Sequence, residues 1–423
     1  MKDTETNQDE VLPEQSGTID ESLVDGILGE YEKRPYPAED ERVLSQRAWK
    51  LAPLGWWNGT GRLAAGELGR LRVLVAGCGT GNEAFNFARL SEEFEVVGVD
   101  FSRRSIEVAE RWKTASGLKN VSFVQADLSA DDFGESVDGP FDLVSCHGVI
   151  SYVPETVAAL RNLESVLADD GALYLGCNGS THVSQQYRPV LGRLGCDLES
   201  YEADSTVRQK VALCDDLKGL KPGKGIANQS DGFIASDIFG KMNLCHSLEE
   251  WNRKAEEAGL VFLGALQPTR LLSQIHYNST VGFLREEGVR WAQEASDRMR
   301  PTPFHRVLYG KGGRRLPDFS IYKQEELKEW RPFVNLWKRD AIPPMKKPFT
   351  QKVSFKLNIP GLYKDHAIEA RAFVLEFLRL SDGEKTLGGI VGEIGSGVTV
   401  EQMIPLLFRF HLCGMVNLKP PAS

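Results

Sequence analysis

The 423-residue chain has no Cys-x-x-Cys pair. Its seven cysteines, Cys78, Cys146, Cys177, Cys196, Cys214, Cys245 and Cys413, fall without metal-ligand spacing, which excludes a zinc ribbon and leaves no metal site to expect. An odd number of scattered thiols suits a reduced compartment, so a cytoplasmic protein is expected. No apolar run approaches the length that spans a bilayer, and Met1-Lys2-Asp3-Thr4-Glu5 opens no signal-peptide core, so no membrane partner is expected. Positive charge is also short: 50 Lys and Arg against 59 Asp and Glu leave a net charge of −9. A polyanion is met by a positive field, so nucleic acid is an unlikely partner, and small molecules, peptides and proteins remain. No internal repeat or low-complexity tract is present, which sets aside solenoids.

What is present is enough apolar residue, 41% of the chain, to fill two or three cores. Residues 1–25 are acidic and poor in aromatics, the composition of a disordered tail. Residues 26–70 change character, with Tyr31-Glu32-Lys33-Arg34-Pro35-Tyr36-Pro37 and Pro53-Leu54-Gly55-Trp56-Trp57, a lid-like segment that needs a partner surface. Across residues 71–180 short β-branched runs alternate with helical patterns. Strands are predicted at Val73–Ala76, Phe94–Val99, Val121–Gln125, Phe141–Ser145 and Ala172–Cys177. A helix over Thr156–Leu167 has its apolar residues at helical spacing. This pattern predicts an α/β fold with a doubly wound, mostly parallel sheet.

Residues 181–300 read as a mainly helical insertion or substrate cap carrying the remaining sheet strands. Within it Ser247 and Glu250 form a capping box at the start of a helix over Leu248–Ala258. Residues 301–360 are basic and broken by prolines, a connector. Residues 361–423 predict helices Ile368–Leu380, Leu387–Ile394 and Val400–Leu412 and a strand Met415–Leu418, a small winged-helix-like domain. That unit has no basic stripe for DNA, so docking or a homodimer is its expected use.

The chemistry concentrates where Val73-Leu74-Val75-Ala76 runs into Gly77-Cys78-Gly79-Thr80-Gly81-Asn82-Glu83. A buried strand entering a glycine-rich turn and then a helix lets the backbone approach a ligand closely. The next strand ends in Asp100, whose carboxylate can accept from both hydroxyls of a ribose. A third leads to Asp127 and Leu128 at a neighbouring strand end. Without a ligand, the same residues read as a tight turn, a helix N-cap and a turn acid.

Val75-Ala76-Gly77-Cys78-Gly79-Thr80-Gly81 resembles motif I of the class I, Rossmann-like, S-adenosylmethionine-dependent methyltransferases, over roughly residues 70–180. The GxGxG spacing departs from the GxGxxG of nicotinamide-binding oxidoreductases. The resemblance implies S-adenosylmethionine as cofactor. It places Gly77, Cys78, Gly79, Gly81 and Asn82 around the methionine moiety, Asp100 on the ribose, Asp127 on the adenine amine, and Leu128 and Phe101 on either side of the ring.

The fourth strand ends at Cys146-His147-Gly148-Val149-Ile150-Ser151-Tyr152-Val153-Pro154, which resembles the segment lining the methyl-transfer cleft. His147 stands five residues after Asp142, the offset held by the target-gripping residue in members that carry an NPPY motif. NPPY is missing here, which argues against an exocyclic base amine as acceptor. His147 is expected either to accept a proton from the nucleophile or to hydrogen-bond the cofactor. Tyr152 and Asn178 are expected to line the cleft from strand ends. The Tyr31–Pro37 element resembles a YExxPYP segment that precedes motif I in some bacterial methyltransferases, making Tyr31 and Tyr36 candidates to flank the reactive methyl or to clasp the N-terminus. His246, His276 and His305 are further candidates for the cleft. The expectation is methyl transfer to a nitrogen or oxygen of a peptide or protein acceptor. A small-molecule acceptor and a non-catalytic S-adenosylmethionine sensor are the alternatives.

Overall fold

A computed structural model describes residues 21–36, 70–221, 223–265, 278–334, 352–359, 363–395, 397–412 and 416–421. In chain order the main elements are α1 (Glu21–Lys33), β1 (Arg72–Ala76), α2 (Asn82–Ala88), β2 (Glu95–Asp100), α3 (Arg103–Ser116), β3 (Val121–Gln125), β4 (Phe141–His147), α4 (Thr156–Ser165) and β5 (Leu167–Asn178). They continue as α5 (Val183–Arg193), α6 (Ser205–Leu217), α7 (Leu248–Glu257), β6 (Leu260–Ala265), α8 (Asn278–Met299) and β7 (Phe304–Lys311). The last are β8 (Arg331–Val334), β9 (Lys352–Ile359), β10 (Tyr363–Arg371), α9 (Ala372–Leu380), α10 (Leu387–Ile394), α11 (Val400–Leu412) and β11 (Val416–Lys419).

Seven strands form one sheet in the order β3-β2-β1-β4-β5-β7-β6. β1 pairs parallel with β2 and β4, β2 with β3, and β4 with β5, while β7 runs antiparallel to both β5 and β6. Alternation along each strand sends side chains to two opposed cores. Val73 and Val75 join Phe85, Phe87 and Tyr174 on one face, whereas Leu74 and Ala76 join Val144, Leu160, Leu163 and Trp251 on the other. Burial on both faces is why these strands read as continuous apolar runs. Strand order reverses between β2-β1 and β1-β4, which opens a crevice at the carboxyl ends of the strands.

Two further cores flank the sheet. Tyr187, Leu191, Tyr201, Val211, Ile234, Ile238 and Phe239 make the core of the cap that follows β5. Phe319, Leu327, Trp330, Phe377, Ile390, Leu407 and Phe408 are among those that make the core of the C-terminal unit. Gln293 on α8 ties that unit to the sheet: its Oε1 accepts from Ala265 N at 2.8 Å, and its Nε2 donates to Ala265 O at 3.0 Å and Leu412 O at 2.8 Å.

The structure corrects three boundaries. Residues 21–25, assigned to the tail by composition, lie in α1, because Leu23, Val24, Ile27 and Leu28 recur at helical spacing; residues 1–20 are outside the described residues. The basic connector over 301–360 contains β7, a strand inside the main sheet, with Val307, Leu308 and Tyr309 fully buried and the basic residues displaced to its exposed positions and end. It also contains β8, which pairs antiparallel with β11, so the C-terminal unit reaches back past residue 361. Ile368–Arg371, read as helix, belong to β10, since Ile368-Glu369-Ala370-Arg371 has the period of a strand and pairs with Lys352–Phe355. The described part of the C-terminal unit is three helices with two two-stranded ladders, β8-β11 and β9-β10. Among the described residues no helix is long and apolar enough to cross a membrane, and no cluster of three His, Cys, Asp or Glu is placed to hold a metal.

Candidate active site

A cavity of about 820 Å³ opens at the carboxyl ends of β1, β2, β3, β4 and β5, within the range of small-molecule sites. One half is made by the glycine turn. Gly77 and Gly81 have φ of 71° and 92°, a left-handed region that favours glycine. A Cβ on Gly77 would fall 2.3 Å from Val149 Cγ2, so the turn passes directly against the loop after β4. Gly81 does not line the cavity, contrary to its assignment to cofactor contact. A Cβ there would meet Phe85, Phe123 and Ala109, and its missing side chain lets α2 pack onto the sheet.

The turn is fastened to β2. Gly79 N donates to Asp100 Oδ2 at 2.8 Å, Ser102 N to Asp100 Oδ1 at 3.0 Å, and Cys78 N to Val99 O at 2.8 Å. Asp100 is 8% exposed. Burial pushes its carboxyl up to about 6, and the two backbone donors pull against that rise. The N-cap of α3 is Ser102, whose hydroxyl accepts from Ser105 N, which leaves Asp100 facing the cavity. Asp127 Oδ1 accepts from both Ser129 N and Ser129 Oγ at 2.8 Å. Leu128, Phe101, Cys78 and Asn82 complete this wall.

The other half belongs to α1, the loop after β4, the ends of β5 and β7, and the cap. α1 straddles core and cap. Tyr31 meets Phe101 edge-on with centroids 5.6 Å apart, Tyr36 O accepts from Thr80 N at 3.3 Å, and Arg34 donates to Tyr201 O at 2.9 Å. Both tyrosines line the cavity, and burial followed by the charge of Asp237 raises both phenols. Tyr152 Oη donates to Asp237 Oδ1 at 3.0 Å, Asn178 Nδ2 donates to Tyr152 Oη at 3.1 Å, and Ser236 Oγ donates to Asp237 Oδ2 at 2.9 Å. His182 Nε2 stands 3.5 Å from Asp237 Oδ1. Burial pushes its imidazole down, but hydrogen bonds to Asp237 and Cys245 outweigh this and hold it up at about 9.

His147 lines the cavity between the two halves, stacked on Tyr174 at 5.7 Å and against Phe304 at 5.1 Å, with Nδ1 at 2.9 Å from Tyr174 Oη. Thus the predicted residues converge on one cavity, Gly81 excepted. His246 and His305 do not line it: His246 packs on Trp251, and His305 is buried with Nε2 at 3.1 Å from His246 O. His276 and residues 37–69 of the lid lie outside the described residues. Asp237, His182 and Arg306 line the cavity and were missed. Asp237 sits in a π-helical turn over Ile234–Ile238, a form that often marks functional sites but leaves no mark in sequence.

The site suits an adenosyl sulfonium: a buried carboxylate hydrogen-bonded to a glycine turn that leaves no room for a side chain at Gly77, with Leu128 and Phe101 lining the same cavity. Comparison with known proteins agrees. A methyltransferase domain family matches residues 69–203. An uncharacterized protein of Synechococcus sp. is 27% identical over 274 residues, covering 59% of this chain and 63% of its own length. One from Rickettsia prowazekii is 34% identical over 202 residues, covering 44% of this chain and 79% of its own. The chain therefore spans less than two thirds of the cyanobacterial relative. The solved structure of PKMT2 from Rickettsia typhi in complex with AdoHcy superposes with a TM-score of 0.53 at 16% identity, over 88% of this chain and 76% of that one, and so shares the fold. Residues 69–203 thus form a methyltransferase domain in a chain with the class I fold, and S-adenosylmethionine is the cofactor this implies.

Proposed function

We propose that the protein transfers a methyl group to a side-chain amine of a peptide or protein. The observation that carries this is the gathering of Tyr31, Tyr36 and Tyr152 about Asp237 in the half of the cavity that faces the glycine turn. Aromatic faces around a carboxylate favour an amine over a neutral hydroxyl, in its charged form by cation–π and charge attraction and in its neutral form by hydrogen bonds. The likeness to a protein named PKMT2, a name that suggests lysine as acceptor, supports the same reading. The C-terminal unit extends beyond the sheet and suits a docking module for a protein acceptor.

When bound, S-adenosylmethionine supplies a methyl on a positively charged sulfur. Gly77, Gly79, Asn82, Asp100, Asp127, Leu128 and Phe101 would hold it, and the residues opposite align the acceptor. Asp237, with Tyr31, Tyr36 and Tyr152 around it, would hold the acceptor amine facing that methyl. Alignment is the main catalytic contribution, because in-line geometry replaces a random bimolecular encounter.

The test is transfer of labelled methyl from S-adenosylmethionine into proteins of a cell lysate, followed by alkaline treatment. Base-stable label in protein, recovered as methylated lysine after hydrolysis, supports the reading. Base-labile ester, or label confined to small molecules, contradicts it.

A further inference from the structure

A ring of hydrogen bonds closes on Asp237 through Asn243, Asn178 and Tyr152. Asn243 Nδ2 lies 3.0 Å from the backbone oxygen of Asp237, and Asn243 Oδ1 lies 2.9 Å from Asn178 Nδ2. The same Asn178 nitrogen lies 3.1 Å from Tyr152 Oη, which in turn lies 3.0 Å from Asp237 Oδ1. Tyr152 follows β4, Asn178 ends β5, and Asn243 and Asp237 come from the cap, so the ring crosses from sheet to cap. Tyr152, Asn178 and Asp237 line the cavity. The sheet side is held firmly: Asn178 is 1% exposed, its N–H donates to Ser151 Oγ at 2.8 Å, and its carbonyl accepts from Trp251 Nε1 at 2.9 Å. On the cap side Leu244 N donates to Ser151 O at 2.7 Å, which lays the segment carrying Asn243 against the same loop.

One backbone carbonyl sets the direction of every bond in the ring. The Asp237 carbonyl can only accept, so the Asn243 atom facing it is the NH2, and the amide oxygen turns to Asn178. The thiol of Cys245, with Sγ 3.1 Å from that oxygen, donates to it as well. Asn178 must then present its own NH2, whose two protons go to Asn243 Oδ1 and Tyr152 Oη. The phenol accepts from Asn178, and its single proton goes to the Asp237 carboxylate.

We infer that Asn178 and Asn243 are positioning residues, which hold the Asp237 carboxylate of the cap against the sheet and commit the Tyr152 proton to it. The committed phenol, like the ionised carboxylate, can only accept from a ligand, so together they favour a group that donates N–H. That consequence and the activity arm below rest on the proposed amine acceptor. The direction of the bonds in the ring does not.

The ring is tested by proton–nitrogen spectra of the full chain labelled in its asparagine side chains, with the Asn178 amide identified as the one lost in Asn178→Leu or Asn178→Ser. Both of its protons should be protected from exchange with solvent. Tyr152→Phe should shift and deprotect one of them, and Asn243→Leu the other. An Asn178 amide that exchanges freely, or that does not respond to Tyr152→Phe, overturns the inference whether or not any turnover is found. The activity arm reads the initial rate of methyl transfer from labelled S-adenosylmethionine into a fixed amount of lysate protein, in variants that bind S-adenosylhomocysteine within about twofold of the wild type. Asn178→Leu, or Asn178→Ser where the leucine variant does not fold, should lower that rate about fivefold in the wild type and less than about twofold in Tyr152→Phe, because its effect passes through the phenol. Equal losses in both backgrounds overturn the positioning role. Absence of transfer by the wild type contradicts the proposed function instead, and the spectra alone then decide on the ring.

Discussion

Asp100 Oδ2 accepts the backbone N–H of Gly79 at 2.8 Å, so one carboxylate both ends the second strand and fixes the turn after the first. Burial holds that carboxyl up at about 6, whereas ribose hydroxyls donate best to its ionised form. Acid whose pKa is raised in the free protein must lose its proton to bind, so cofactor affinity falls as pH drops through 6. Binding of S-adenosylhomocysteine is expected to be about tenfold weaker at pH 5 than at pH 7.5. Calorimetry across that range checks it, and a flat profile contradicts the assignment.

Gly77 allows no side chain. Gly77→Ala puts a Cβ within 2.3 Å of Val149 Cγ2 at a φ of 71°, and overpacking with backbone strain costs about 1–3 kcal/mol each. Reduced thermal stability and loss of cofactor binding are expected. Adding Val149→Ala should recover part of the stability, since it removes the contacts to Cγ2 and Cγ1 but leaves Cβ at 2.9 Å and the strain.

Asp237 belongs to the acceptor half. Asp237→Asn keeps the shape but removes the charge and turns one of the two oxygens that accept from Tyr152 Oη and Ser236 Oγ into an NH2 that cannot accept. Turnover per KM should fall by about 10–100-fold, as for loss of a charged hydrogen bond. Affinity for S-adenosylhomocysteine should change by less than about twofold. Equal losses in both would move Asp237 to the cofactor half.

Gln293, 1% exposed, spends both ends of its amide on Ala265 and Leu412. Gln293→Leu fills the space but orphans those backbone groups, and each buried unsatisfied group costs about 1–3 kcal/mol. Urea unfolding should show a loss of several kcal/mol, or a split transition in which the C-terminal unit melts first.

Much of the sheet was legible because its strands are apolar runs between turn signals: Val121–Gln125 stands as predicted, and β1, β2 and β4 differ only at their ends. The capping box of Ser247 and Glu250 was equally plain, and both of its hydrogen bonds form. β7 was not, because Arg306 and Lys311 lie in a stretch of basic residues and prolines, and only pairing with β5 and β6 reveals its buried side. Within the site, the glycine turn and the acids at strand ends are local patterns. Asp237 comes from a cap whose contact with Tyr31 and Tyr152 is made by tertiary folding alone. The contact of His147 with Tyr174 joins neighbouring strands whose register no spacing in the chain encodes.

The most direct test of the cofactor site is a calorimetric titration of S-adenosylhomocysteine into the wild type and Asp100→Asn at neutral pH. One molecule bound per chain, with affinity reduced at least about tenfold in the variant through loss of charged hydrogen bonds, is the result expected. Unchanged affinity in Asp100→Asn, or no binding to the wild type, would contradict it.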